Sequence, residues 1–288
     1  MFPHEASEWR CSGGCVSRRL AHQSRIINLR SLSQRERTSA FTLLELLIVI
    51  SIIAVLMVLI APAFTNLKSA GDVTSAAYTV KGVLDTARTY AKANNTYTWV
   101  GFYEENVANP SSPNADTPAV GRVIMSIVAS KNGTIIYDPR NLGQQDLTTS
   151  VTQVGKLAKI DNIHLWTHTD APSGMGSNFD TRPNVPLTSC IGDASPSDST
   201  TPFRYPVGNP APAAQYTFVK GVQFSPRGEA RINNSTVNAS GTEIFPLQMV
   251  AEIGLEPTHG ASAPGSIPAN VAAVQFTGIG GNVTIYRR

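Results

Sequence analysis

Several residue groups in this 288-residue chain have types and spacings that could do chemistry. His164-x3-His168 has the step that places two imidazoles on one helix face, as zinc sites do. The local pattern argues against a helix. Ile163, Leu165 and Thr167 alternate with His164, Trp166 and His168, which is the period of a strand. Four residues along a strand span about 13 Å, too far to share a metal, so exposed or half-packed histidines are expected. Asp170, Asp180, Asp193 and Asp198 offer the oxygen ligands that Ca²⁺ takes, but their spacing matches no defined calcium loop. Solvated loop acids are the expectation, and no cofactor is required. Cys11-x3-Cys15 has no second pair at zinc spacing, and Cys190 is the one cysteine beyond it. No G-x-S-x-G, Walker A or H-E-x-x-H occurs. The glycines from Gly278 to Gly281 precede a strand rather than a helix, so they are no phosphate cradle. Nothing in the pattern supports an enzyme.

Charge is divided unevenly. Residues 1–40 carry seven arginines and a net charge of +4, whereas the remainder is close to neutral at −1. A nucleic-acid binder places its excess charge on the folded part. Arg227 and Arg231 flank a turn, and Arg287 and Arg288 end the chain. These four could contact phosphates or could blunt a solvated sheet edge. The near-neutral bulk disfavours nucleic acid as a partner.

The elements behind these residues begin with an apolar run. FTLLELLIVISIIAVLMVLIA, residues 41–61, holds one charge, Glu45, and ends at Pro62. At about 1.5 Å per residue it makes about 31 Å of helix, enough to cross a hydrocarbon core. The arginines before it leave the N-terminus in the cytoplasm and export the rest. Three ordinary readings are a secretory signal peptide cut near Ala61-Pro62-Ala63, a plain signal anchor and a buried core helix. A carboxylate at membrane depth costs roughly 2.5–3.5 kcal/mol on insertion scales and usually has a partner. No Lys, Arg or His lies between Phe41 and Lys68. The partner must come from elsewhere, or the glutamate must be protonated; a new α-amino group at Phe41, of the same chain or of a neighbour, would serve as the cation.

Ser39-Ala40-Phe41-Thr42-Leu43-Leu44-Glu45, with the apolar run and basic leader, resembles the class III signal sequence of type IV prepilins and type II secretion pseudopilins. The resemblance implies cutting between Ala40 and Phe41 by a prepilin peptidase, methylation of Phe41, and pairing of Glu45 with a neighbouring subunit's N-terminus during filament assembly. It also implies a helix kink at Pro62, an inner-membrane location with the C-terminal part outside the cytoplasm, and a structural role in a type IV pilus or type II pseudopilus. A second, looser resemblance, to the GspH/FimT-like minor pseudopilins, rests on Ala87-Arg88, Phe224-Ser225-Pro226-Arg227-Gly228 and Thr277-Gly278. It implies a minor subunit; some relatives of that group bind DNA during uptake through basic C-terminal segments. The rival of another class is an exported binding domain or enzyme that uses residues 1–63 only for export.

The expected architecture is α+β: a cleaved leader over 1–40, a long helix over 41–95 that is transmembrane over 41–61, and an antiparallel β-rich domain over 96–288. Beyond the membrane Phe64, Leu67, Ala70, Val73, Ala77, Val80, Leu84, Ala87 and Ala91 form one apolar helix stripe, and Asn94-Asn95 ends it. Expected strands are Thr96–Tyr103, Arg122–Ala129, Thr134–Tyr137, Asn162–Thr167, Thr217–Ser225, Glu229–Ile232, Leu247–Ile253, Val271–Thr277 and Val283–Arg287, with a hairpin turn at 278–282. Residues 168–216 hold eight of the 19 prolines and no period, which reads as a long variable surface loop.

Overall fold

The computed structural model describes residues 41–109, 118–135, 147–174, 176–195, 198–199, 201–208, 210–232, 236–237, 243–244 and 247–288, with backbone alone at 59–70, 236–237 and 243–244. The chain divides into two units, Met1–Ile52 and Ile53–Arg288. Helix α1 runs Leu43–Ala93, within two residues of its expected ends. It is followed by β1 (Thr98–Asn106), β2 (Gly121–Ser130), β3 (Val151–Gln153), β4 (Ala158–Asp161), β5 (Ile163–Leu165) and β6 (Cys190–Ile191). Then come β7 (Phe203–Tyr205), β8 (Tyr216–Phe218), β9 (Lys220–Phe224), β10 (Ala230–Ile232), β11 (Thr236–Val237), β12 (Glu243–Ile244), β13 (Val250–Pro257), β14 (Ala272–Thr277) and β15 (Val283–Arg287). The architecture is therefore α+β, a long helix followed by antiparallel sheets.

In the second unit the helix stops for a local reason. Asn95 takes a left-handed conformation (φ 46°), and the Thr96 amide donates to the Ala91 carbonyl. That closure satisfies a carbonyl of the last turn, and asparagine tolerates the geometry better than most residues. The described part of the expected stripe is buried: Val73, Ala77, Val80, Leu84, Ala87 and Ala91 all lie in the core. Alanine dominates it, so the sheets approach the helix closely. Phe64, Leu67 and Ala70 lie outside the described side chains.

The first sheet has the order β10-β9-β1-β2-β3, with β4 also on β2; the second has β15-β14-β13-β5, with β6 parallel to β13. Both pack on α1. β1 is buried on both faces: Val100 and Phe102 face the helix core, while Trp99 and Tyr103 face a second core with Phe203, Tyr216 and Phe218. That second core is roofed by the β7–β8 hairpin. Gly101 makes the close approach possible, because a Cβ there would lie 2.6 Å from Phe203 Cζ and Phe218 Cβ.

Two expectations are corrected. Thr217–Ser225 is not one strand: β8 pairs with β7, while β9 pairs with β1, and half-exposed Val219 marks the change of partner. Residues 168–216 are not a surface loop throughout. Phe179, Arg182, Cys190, Ile191 and Phe203 within them are each at most 3% exposed. The irregular spacing of these residues hides the burial, because each is fixed by a tertiary contact rather than by a helix or strand period. Thr134–Tyr137 falls partly outside the described residues.

Candidate functional site

The start of α1 is built by its own first turn. Glu45 Oε2 accepts from the Thr42 amide at 2.9 Å and from the Thr42 hydroxyl at 3.0 Å, and Thr42 Oγ1 accepts from the Glu45 amide at 3.2 Å. This Thr-x-x-Glu reciprocity is a capping box. The partner within the turn is uncharged and three residues back, and no cation pairs with Glu45 among the described residues. The Thr-x-x-Glu spacing is legible in the sequence. Around Glu45 the helix is apolar on every side. Fourteen large apolar residues from Phe41 to Val58 are 45–81% exposed. A helix that is hydrophobic all round requires an apolar environment. Among the described residues no helix is long and apolar enough to cross a membrane; the described side chains of this run stop at Val58, short of the 41–61 span expected from sequence.

The histidines are placed apart, as the strand period requires, but they are buried rather than exposed. His164 lies in β5 with its Nδ1 2.9 Å from Glu104 Oε1. The Glu104 carboxylate also accepts from the Gly121 amide at 2.9 Å and the Leu165 amide at 3.3 Å, so one side chain of β1 ties the first sheet to the second. Burial lowers the His164 pKa, but the Glu104 hydrogen bond and charge outweigh it, and the net shift is upward. His168 lies beyond β5, its ring edge-on to Phe179, and burial holds its pKa down. Gly254 is the residue that admits it: a Cβ there would lie 2.8 Å from His168 Cδ2 and 1.9 Å from the Trp166 carbonyl oxygen. Glu256, opposite His164 in the strand register and 4.0 Å from His168 Nδ1, is pushed up to about 7 by burial. A cleft of about 390 Å³ borders this region, lined by Tyr103, Glu104, His164, Asp193, Val219 and Lys220. Its polar groups are engaged internally: Glu104 as above, Asp193 by the Thr167 amide, Lys220 by Asp198 and the Ala194 carbonyl. The arrangement is a clamp between sheets.

Residues 35–61 match the family described as Prokaryotic N-terminal methylation motif. The chain carries that motif. It is the motif of type IV prepilins and pseudopilins, and it brackets Phe41, Thr42 and Glu45. Neither the curated proteins nor the solved structures offered a match to the chain.

Within the methylation motif, Ala40 lies outside the described residues and Phe41 is exposed. α1 continues through Pro62. The four acids considered for Ca²⁺ are spent separately: Asp170 on Arg182, Asp180 on Arg288, Asp193 on a backbone amide and Asp198 on Lys220. Among the described residues no group of three or more metal-ligating side chains converges. The arginines are divided as well. Arg287 and Arg288 lie at the open end of the β14–β15 hairpin, bonded to Thr74 and Asp180, while Arg231 on β10 faces Glu229 at 3.6 Å. Sequence reasoning missed Arg182, buried at 2% exposure with carboxylates on both sides. Its partners are 12 and 70 residues away, and no local pattern points to them.

Proposed function

We propose that this chain is a structural subunit, of the minor kind, in a type IV pilus or type II secretion pseudopilus. A prepilin peptidase cuts between Ala40 and Phe41 and the new amino terminus is methylated. The run over 41–61 holds the protein in the inner membrane with residues 96–288 outside the cytoplasm. The helix then enters the filament, with Glu45 and Pro62 setting how it packs. The observation that carries this reading is the methylation motif on a helix whose apolar residues are exposed on every side. Fully burying a large apolar side chain is worth roughly 1.5–3 kcal/mol. Fourteen such side chains, each about half exposed, hold on the order of 10 kcal/mol or more for lipid or neighbouring helices to recover. Arg88 meets Gly228 and Gly281 at the end of α1, and the Ala230 amide ties Gly278 to the same pair of turns; this adjacency of the three loosely matching segments supports the minor-subunit reading.

Two measurements test it. Mass spectrometry of the protein from its membrane fraction should find an N-methylated Phe41 as first residue; a mature start near Phe64 would overturn the reading in favour of ordinary secretion. Glu45→Ala should still be cut and membrane-bound but should not enter sheared filaments. Incorporation at the wild-type level would refute the role given to Glu45.

A further inference from the structure

Arg88 and Lys92 stand one turn apart near the end of α1, beside a surface recess of about 370 Å³. Two chain turns close on them. One joins β9 to β10 through Pro226, Arg227 and Gly228; the other joins β14 to β15 through 278–282. The Ala230 amide donates to the Gly278 carbonyl at 2.7 Å and fixes the turns to each other. Each turn presents a left-handed glycine to the arginine, Gly228 at φ 86° and Gly281 at φ 61°. A Cβ on Gly281 would lie 3.0 Å from Arg88 Cδ and 3.1 Å from its Nε. A Cβ on Gly228 would lie 3.1 Å from Lys92 Cδ and 3.4 Å from Arg88 Nε. The arginine stem is therefore held between two turns that only small residues allow.

Among the described residues this placement leaves positive charge without a carboxylate partner. Arg88 Nε is buried and has no acceptor among them. Among the described residues no carboxylate pairs with Arg88, Lys92 or Arg227, the neighbour of Gly228. Asp85, one turn earlier on the helix, is taken by Lys81 at 3.3 Å, and Glu229 faces Arg231. Like charges four apart on a helix repel, and a buried donor without an acceptor is disfavoured. The like-charge penalty falls when an oxyanion arrives, and a guanidinium beside an ammonium suits a doubly charged one. The charge also runs against its setting, since residues 41–288 sum to −1.

We propose that Arg88, Lys92 and Arg227 form a binding site for a phosphate-class oxyanion at the end of α1. The site is independent of filament assembly, so its test needs no filament. The full chain in detergent micelles is titrated with radiolabelled inorganic phosphate by equilibrium dialysis. Saturable one-to-one binding that weakens with added salt is expected. Arg88→Gln should weaken it at least roughly tenfold and Lys92→Gln roughly threefold, while exposed Lys156→Gln leaves it unchanged. Absence of saturable binding to the wild type overturns the proposal, as does wild-type affinity in both variants. Should Arg88→Gln lose its near-ultraviolet dichroism, the double variant Lys92→Gln/Arg227→Gln decides, because both side chains are exposed. Unchanged affinity in that double variant equally overturns the site.

Discussion

Removal of the Arg182 side chain should damage the fold severely. All five of its N–H donors are used. Nε and Nη2 reach the two oxygens of Glu252 at 2.7 and 3.1 Å. Nη1 and Nη2 reach Asp170 at 2.8 and 2.7 Å, and Nη1 also donates to the Phe179 carbonyl at 2.8 Å. The guanidinium lies 4.0 Å over the Phe179 ring. Glu252 is 2% exposed, and its other named donor is Gln275 Nε2 at 2.7 Å. Arg182→Met would keep most of the apolar stem but strand a buried carboxylate. Breaking one side of a buried pair costs about 3–5 kcal/mol, and losing the ring contact adds up to about 1 kcal/mol. About 4 kcal/mol is therefore expected, or a fall in Tm of roughly 8–16 °C for a domain of this size.

Urea unfolding followed by tryptophan fluorescence should show the midpoint fall with the slope unchanged. The triple variant Arg182→Met/Glu252→Leu/Asp170→Asn separates charge from packing. It removes the stranded carboxylates, and should be more stable than Arg182→Met alone despite carrying two more substitutions. A loss below about 1 kcal/mol in Arg182→Met would refute the reasoning. It would mean that residues 168–189 are not held to β13 by this side chain.

Glu256 sets a pH dependence of its own. Burial raises its pKa to about 7 from 4.5, so the folded state holds a proton that the unfolded state has released. Stability should fall as pH rises from about 4.5 to 7, by roughly 3 kcal/mol in all, and then level off. Glu256→Gln should flatten that slope, and an unchanged urea midpoint profile across pH 5–8 would contradict the assignment. Cys190 is 3% exposed, and burial pushes its thiol up to about 12. It should resist iodoacetamide at pH 8 until urea unfolds the chain, as read by peptide mapping; rapid labelling of native protein would count against its burial.

What the sequence made legible follows from where the information lies. The helix stripe from Val73 to Ala91 was readable because burial on one helix face imposes a period of 3.6. β15 was readable to the residue because Gly281 and Asn282 fix where it starts. The apolar run and Glu45 were readable because a lone charge among apolar residues is conspicuous. The β7–β8 roof over Trp99 was not readable, since its three-residue strands leave too short a pattern to carry a period. The network of Arg182, Asp170 and Glu252 was not readable either, because it joins a loop to a strand 70 positions on. Charged residues in a Pro-rich stretch look solvated until the fold supplies their partners.

Glu45 sits where two roles compete. In the isolated chain its carboxylate caps the first turn, satisfying the Thr42 amide and hydroxyl. Those are neutral donors, and a net hydrogen bond to a charged group contributes about 1.5–3 kcal/mol. On the proposed reading, the cut before Phe41 creates an ammonium beside this carboxylate. An ion pair held in an apolar surrounding is attracted several times more strongly than the same pair in water. The cap therefore holds the side chain near the helix start without saturating it, since the second oxygen, Oε1, takes neither Thr42 bond. Among the described residues nothing else binds that oxygen, which leaves it for an amine from a neighbouring subunit while the cap persists. Glu45→Gln separates the roles: it keeps an acceptor for the cap and removes the charge. It should retain helix content by circular dichroism and lose filament entry. If Glu45→Gln assembles as the wild type does, capping alone explains the residue.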